Sequence, residues 1–208
     1  MRPGVRRGAP GAACMRVSSI TVLKIGGSLA RSDAAGRMMR ALAVRKVSKL
    51  LIVPGGGEFA DSVRAAQSRH GLSECAAHHM ALLAMHIIAV ALADCAPVFV
   101  PAENGLQFDM VWRDGKTPVW LPAPMVLAAP DIAASWDITS DSLAAWVAGK
   151  MDAARLLLVK SCALPARSDS AQALVDAGIV DASFARFVNG RRFAWQVVTG
   201  VEAALHVL

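Results

Sequence analysis

Short runs of aliphatic and β-branched residues recur along the chain at 20–25, 50–53, 97–100, 118–121 and 155–159, and each predicts a strand. Longer stretches with helical spacing lie between them, at 33–46, 58–69, 73–94 and 140–149. The strand runs are continuously apolar rather than alternating, as expected for strands buried on both faces. Their alternation with helices predicts an α/β fold whose sheet is largely parallel and covered on both sides. Ser32 or Asp33 is placed to cap the first helix and Ser73 the third. Asn104-Gly105 and Asp114-Gly115 make 101–117 read as an irregular excursion or hairpin beside the sheet. Beyond Ala163 the pattern predicts a polar loop at 165–170, a short helix at 171–177 and a last strand at 194–199. No internal repeat interrupts 18–208, which reads as one domain.

The segment Ala76 to Ala93 is almost entirely apolar and about long enough to span a thin bilayer. Alanine dominates it, it carries His78, His79 and His86, and Glu74 and Asp94 flank it. A buried core or dimer-interface helix is the expected reading, with no membrane span. His79 and His86 share a helix face but stand about 10 Å apart along the axis, too far to hold one metal ion. Satisfied core or interface histidines fit that spacing better than ligands.

Composition narrows the class. Hydrophobic residues make up 55% of the 208 and charged residues 18%, which excludes disorder for the main body. The net charge of +6 suggests nucleic acid, but four of those six charges are Arg2, Arg6, Arg7 and Arg16. The rest is near balance, so no nucleic-acid partner is expected. Residues 1–17 are expected to form a disordered basic extension, with no continuous apolar run of the kind a secretory leader needs. Cys14, Cys75, Cys95 and Cys162 are scattered, as fits a reducing cytoplasm.

Candidate chemistry begins where the first two strand runs end. One leads into Lys24-Ile25-Gly26-Gly27-Ser28, the other into Pro54-Gly55-Gly56-Gly57-Glu58. Bare backbone amides after a strand suit an anion, because a Cβ would hold a phosphoryl group away from them. Lys24, Gly26, Gly27, Ser28, Gly55, Gly56 and Gly57 are therefore candidate phosphate-binding residues. No P-loop or dinucleotide fingerprint is present. The plain alternative is a pair of tight strand–helix turns.

A second constellation is Trp136-Asp137-Ile138-Thr139-Ser140-Asp141-Ser142. Asp137 and Asp141 would share a face if both were helical, with Thr139 or Ser140 as the cap. The segment is either a capped helix with acidic first-turn residues, or a place where Asp141 orients Lys24 and Lys160 or the acids help to hold Mg²⁺. No all-protein metal site is expected. Trp112, Trp120 and Trp136 are candidates for stacking on a flat ring, with core packing as the alternative.

Val22-Leu23-Lys24-Ile25-Gly26-Gly27-Ser28, Val53-Pro54-Gly55-Gly56-Gly57-Glu58-Phe59 and Ile138-Thr139-Ser140-Asp141-Ser142-Leu143-Ala144 together resemble the amino acid kinase superfamily over residues 20–162. Its small archaeal and methylotroph branch, which includes the aminomethylfuranyl-methyl phosphate kinase of methanofuran biosynthesis, is the most similar in length and in the 136–142 stretch. The resemblance implies a three-layer α/β/α sandwich, ATP with Mg²⁺, and γ-phosphoryl transfer to a phosphate or carboxylate oxygen of a small acceptor in one-carbon cofactor biosynthesis. Lys24 would bridge the donor and acceptor phosphoryl oxygens, with Asp141 positioning it. Lys160 would be a second phosphate ligand, and Gly26-Gly27 and Gly55-Gly56 would donate amides. Asp137 and Thr139 join the phosphate-binding set, and the 73–94 helix becomes a dimerisation candidate. The chain departs from the pattern after Lys160, where Cys162-Ala163-Leu164-Pro165 stand in place of an Asp-Gly pair. That departure keeps open a non-catalytic nucleotide- or oxoanion-binding protein of the same fold. A carboxylate kinase forming an acyl phosphate is the remaining alternative.

Overall fold

The computed structural model describes residues 20–30, 33–45, 47–165 and 170–208; the side chains of Ser28 and Ala30 lie outside that description. The extension at 1–17, Ser32 as a cap and most of the 165–170 loop fall outside it as well. Six strands, β1 (Thr21–Ile25), β2 (Leu50–Pro54), β3 (Phe99–Ala102), β4 (Thr117–Trp120), β5 (Arg155–Lys160) and β6 (Ala194–Thr199), form one sheet. All of its pairings are parallel, in the order β3-β4-β2-β1-β5-β6. The helices are α1 (Gly27–Ala30), α2 (Ala34–Val44), α3 (Gly57–His70), α4 (Glu74–Ala93), α5 (Gly105–Arg113), α6 (Ala123–Leu127), α7 (Ser140–Lys150), α8 (Ala171–Asp176), α9 (Phe184–Val188) and α10 (Gly200–Val207).

The strand period of two divides the core. Val22, Leu156 and Leu158 point into one apolar cluster with Leu143 and Trp146 of α7, while Leu23, Ile25, Leu157 and Val159 point into the other. Met38, Met39 and Leu42 of α2 and Val201, Ala204 and Leu205 of α10 close that second face. The molecule is thus the expected three-layer α/β/α sandwich. Lys24 and Lys160 continue the alternation of Val22 and of Leu156 and Leu158, so both belong to the face that α7 covers.

Residues 101–117 form no hairpin. Asn104 caps α5, its side chain accepting from the Gln107 amide at 3.1 Å, and Gly115 at φ +69° closes the far end. The chain then re-enters the sheet parallel to β3, so the two turn-like dipeptides are the two ends of a helix. Asp33 does not cap α2 with its side chain; its carboxylate pairs with Arg40 at 3.0 Å. Ser73 caps α4 as expected, accepting from the Ala76 amide at 3.2 Å. The short helices α1, α5, α6, α9 and α10 were not anticipated; all but α5 are eight residues or fewer, too short for an apolar period to declare itself.

The strand order reverses around β1, whose sequence neighbour β2 lies on one side and the much later β5 on the other. A crevice at the carboxyl ends of the strands is the expected result at such a point. The two glycine turns and Lys160 all lie there.

Candidate active site

Lys24 is the penultimate residue of β1, Lys160 ends β5, and α7 lies across both with Asp141 in its first turn. All three residues are buried, at 3%, 9% and 5% exposure. Asp141 meets Lys24 with one carboxylate oxygen at 2.8 Å and Lys160 with the other at 2.7 Å. Burial pushes the Lys24 ammonium below its usual 10.5, against the pull of Asp141. Burial acts to raise Asp141, but the two lysines outweigh it and hold the carboxyl below 3.8. With Asp181 the next carboxyl whose charge reaches Lys24, two cations on one anion leave the array itself net positive in a low-dielectric floor. An incoming anion is what would balance it.

The glycine turns lie backbone against backbone. A Cβ on Gly27 would fall 2.5 Å from the Gly57 nitrogen, and one on Gly55 would fall 2.5 Å from the Gly27 nitrogen. Their amides divide into two groups. Gly26 donates to the Val159 carbonyl at 3.2 Å and Gly55 to the Ile25 carbonyl at 2.9 Å, so these two extend the sheet ladder. The amides of Gly27, Gly56 and Gly57 have no partner among the described residues, and Gly57 takes φ +54° as it opens α3. Gly27, Gly56 and Gly57 are therefore free to meet an anion, whereas Gly26 and Gly55 shape the turns.

The N-terminus of α7 is held by a residue the sequence did not single out. Asp181 accepts from the Thr139 amide at 2.9 Å, the Thr139 hydroxyl at 2.8 Å and the Ser142 amide at 3.0 Å, and it also accepts from the Ser142 hydroxyl. A carboxylate on the first turn of a helix is favoured by the helix dipole. Burial nonetheless raises the Asp181 carboxyl above its usual range, the hydrogen bonds from Ser142 pulling the other way. Thr139 is thereby committed to Asp181, and its own side chain makes no cap. Asp137 is exposed and lies before the helix, so it does not stack with Asp141. Asp181 is distant in sequence with no local pattern; only the fold reveals it.

A cavity of about 220 Å³ opens between α3, α4 and the start of α7. Gly27, Gly56 and Gly57 line one end, and Asp61, Arg64, Glu74, His78 and Trp136 line the rest. The spacing 57, 61, 64 is one face of α3, a signal that could have been read from the sequence. Of the three tryptophans considered, only Trp136 lines this cavity. Trp120 is fully buried and stacked on Trp146, and Trp112 donates to the Leu50 carbonyl at the opposite end of the sheet. His86 accepts from the Ala123 amide at 3.0 Å, a satisfied structural histidine. No cluster of three His, Cys, Asp or Glu side chains suited to a metal occurs among the described residues.

Residues 19–163 match the amino acid kinase family. The [5-(aminomethyl)furan-3-yl]methyl phosphate kinase of Methanocaldococcus jannaschii is 31% identical over 142 residues, covering 66% of this chain and 63% of that protein. The aligned part therefore spans less than two thirds of that relative. Among solved structures, the uridylate kinase from Archaeoglobus fulgidus superposes with a TM-score of 0.69 at 17% identity, over 90% of this chain and 94% of its own. The aspartate kinase from Synechocystis gives 0.65 at 12% identity, over 86% of this chain and 37% of its own. At such identities the likeness is one of fold.

Proposed function

This chain belongs to the amino acid kinase family, and we propose that it transfers the γ-phosphoryl group of ATP to a phosphate oxygen of a small phosphomonoester. The observation that carries the reading is the buried Lys24–Asp141–Lys160 array with its excess positive charge, set beside the unpartnered amides of Gly27, Gly56 and Gly57. An acceptor phosphate is already ionised and needs no general base. Its oxygen attacks the γ-phosphorus, a new O–P bond forms, and the bond to the β-phosphate oxygen breaks with its electron pair leaving on ADP. Such a reaction asks the protein for alignment and for neutralisation of charge on the equatorial oxygens. Lys24 supplies this at the transferring group, with the amides beside it, and Lys160 on the nucleotide side.

The phosphate-binding set suits ATP. Mg²⁺ enters the reading bound to the nucleotide's phosphate oxygens and to water, where it would neutralise charge, because the described residues offer it no cage. The phosphate kinase relative supports a ring-bearing phosphomonoester, and a role in methanofuran-type one-carbon cofactor synthesis is part of the proposal. Homo-oligomerisation through α4 is part of the proposal. Met80, Leu83, Ile87 and Val90 recur at helical spacing on its surface and are 37%, 45%, 48% and 58% exposed. By length and composition alone α4 would also qualify as a membrane span, but it packs on α3 and on three strands. The free thiols Cys75, Cys95 and Cys162 suit the cytoplasm.

The altered segment 162–165 favours a second reading, a nucleotide- or oxoanion-binding protein without turnover. The test is ADP release from ATP-Mg²⁺ with a panel of small phosphomonoesters and carboxylic acids. A diphosphate product seen by phosphorus NMR supports the proposal, and a hydroxylamine-trapped acyl phosphate would replace it with a carboxylate kinase. ATP binding with no ADP release across the panel would leave the binding protein.

A further inference from the structure

A second and larger cavity, of about 720 Å³, lies at the opposite end of the sheet. It opens where three adjacent strands begin, and its lining includes Thr117 at the start of β4, Val98 just before β3 and Lys49 just before β2. At about 3.3 Å per residue, β2 carries its chain about 13 Å from Leu50 to Pro54, so the cavity is remote from the glycine turns. Nothing in the proposed phosphoryl transfer uses it.

Its lining joins cations to an apolar base. Arg45, Lys49, Arg113 and Lys116 face one lining carboxylate, Asp109, while Asp114 lies outside the lining. None of these four cations forms an ion pair with a described residue, whereas Lys24, Arg37, Arg40, Lys150 and Lys160 all do. Arg45 is held in place by donating to the Leu205 carbonyl. The amides of Ser48 and Lys49 have no acceptor among the described residues, and Lys49 takes φ +48°, a turn conformation in which successive amides make an anion-binding concavity. The apolar part comes from both faces of the sheet. Leu42, Val47 and Val98 belong to the α2 and α10 side, and the half-buried Trp112 to the other. The Trp112 ring is fixed by its Nε1–H donating to the Leu50 carbonyl at 2.9 Å. A bare inorganic anion would meet the charges and leave the apolar base wet. A neutral ring would do the reverse. A flat organic body that carries several negative charges answers both.

We propose that this cavity is a second ligand site, for a flat organic polyanion, with Lys49, Arg113 and Lys116 as its cationic contacts and Trp112 as its apolar floor. The site is independent of the kinase reading and can be tested by binding alone. Calorimetry on the full chain would compare 1,3,6-naphthalenetrisulfonate with trimetaphosphate, two trianions of which only the first has an apolar body. The naphthalene probe is expected to bind one per chain and about tenfold tighter than trimetaphosphate. Arg113→Glu with Lys116→Glu should weaken it about tenfold or more. Lys49→Gly separates binding from folding. Glycine adopts φ +48° freely, so the urea midpoint should hold while the probe binds about threefold more weakly. Lys24→Met, at the other end of the sheet, should leave the probe's affinity unchanged. No binding of the naphthalene probe, equal affinity for the two trianions, affinity unmoved by Lys49→Gly or by the charge reversal, or a loss in Lys24→Met overturns the proposal. ADP release separates the two readings: a chain that binds the probe as expected and never releases ADP sinks only the kinase.

Discussion

A Cβ on residue 55 would fall 2.5 Å from the Gly27 nitrogen. The two glycine turns, from neighbouring strands, thus touch through backbone, and neither can yield without reshaping the phosphate end. Gly55→Ala and Gly27→Ala are expected to lose ADP release entirely and to unfold at markedly lower urea. Gly71 also lies at positive φ, +63°, but has nothing within 4 Å of its would-be Cβ. Gly71→Ala should therefore cost only about 1–2 kcal/mol of left-handed strain and keep its turnover.

Removing Asp141 leaves Lys24 and Lys160 buried beside each other without a counter-charge. Asp141→Asn should destabilise by about 3–5 kcal/mol, measured from urea unfolding. Adding Lys24→Met should return part of that loss, because it removes one of the two stranded charges. Simple additivity of the two substitutions would mean that the ion array is not coupled in this way.

In the proposed transfer Lys24 works as a cation, and its proton is held less tightly than in an ordinary lysine because of burial. The alkaline fall of kcat/KM should then come below pH 10.5, and the activity left in Lys24→Arg should show no such limb. Stability runs in the opposite sense. Between the depressed folded value and 10.5 the unfolded chain binds more protons, so the contribution from Lys24 improves as pH rises. Asp141, held below 3.8, contributes stability above that value and loses it as pH falls through the folded one. An alkaline limb at or above 10.5 would count against the assigned role.

Asp181 touches no ligand in this scheme; it sets the first turn of α7 and so the height of Asp141. Asp181→Ala strands the fully buried Ser142 hydroxyl and should cost about 1–3 kcal/mol. Because Asp141 then shifts under both lysines, kcat should fall more than the KM for the acceptor does. A loss of stability with kcat intact would reduce Asp181 to a cap.

The exposed stripe on α4 leads to a hydrodynamic test. The unaltered protein should sediment as a dimer or a larger assembly of pairs, and Leu83→Glu with Ile87→Glu should sediment as a monomer. An unchanged sedimentation coefficient would remove α4 from the interface.

The apolar runs declared the strands, because a sheet covered on both sides demands them. Lys24, Asp141 and Lys160 were legible because strand alternation and a helix start fix where they point. What escaped has a common physical cause. Asp181 caps a helix that begins some forty residues earlier, and no local spacing encodes a cap delivered across a fold. Asn104-Gly105 has the same composition whether it turns a hairpin or starts a helix, and only the return of β4 beside β3 decides. The four-residue spacing brings Asp137 onto the face of Asp141 only if both are helical, and the helix starts at Ser140. Similarly, consecutive glycines do not reveal which amides the sheet consumes.

The position of β1 has a consequence for how the protein is made. Thr21 pairs with Leu50 on one side and with Arg155 on the other. On the ribosome, this almost wholly buried strand acquires its first neighbour early and its second only after most of the chain has emerged. Until then it presents an open edge of the kind that recruits other strands, and Lys24 has neither Asp141 nor Lys160 beside it. Translation that stalls before Arg155 would therefore release a sticky, inactive fragment. Solubility and chemical competence arrive together, with the same late strand.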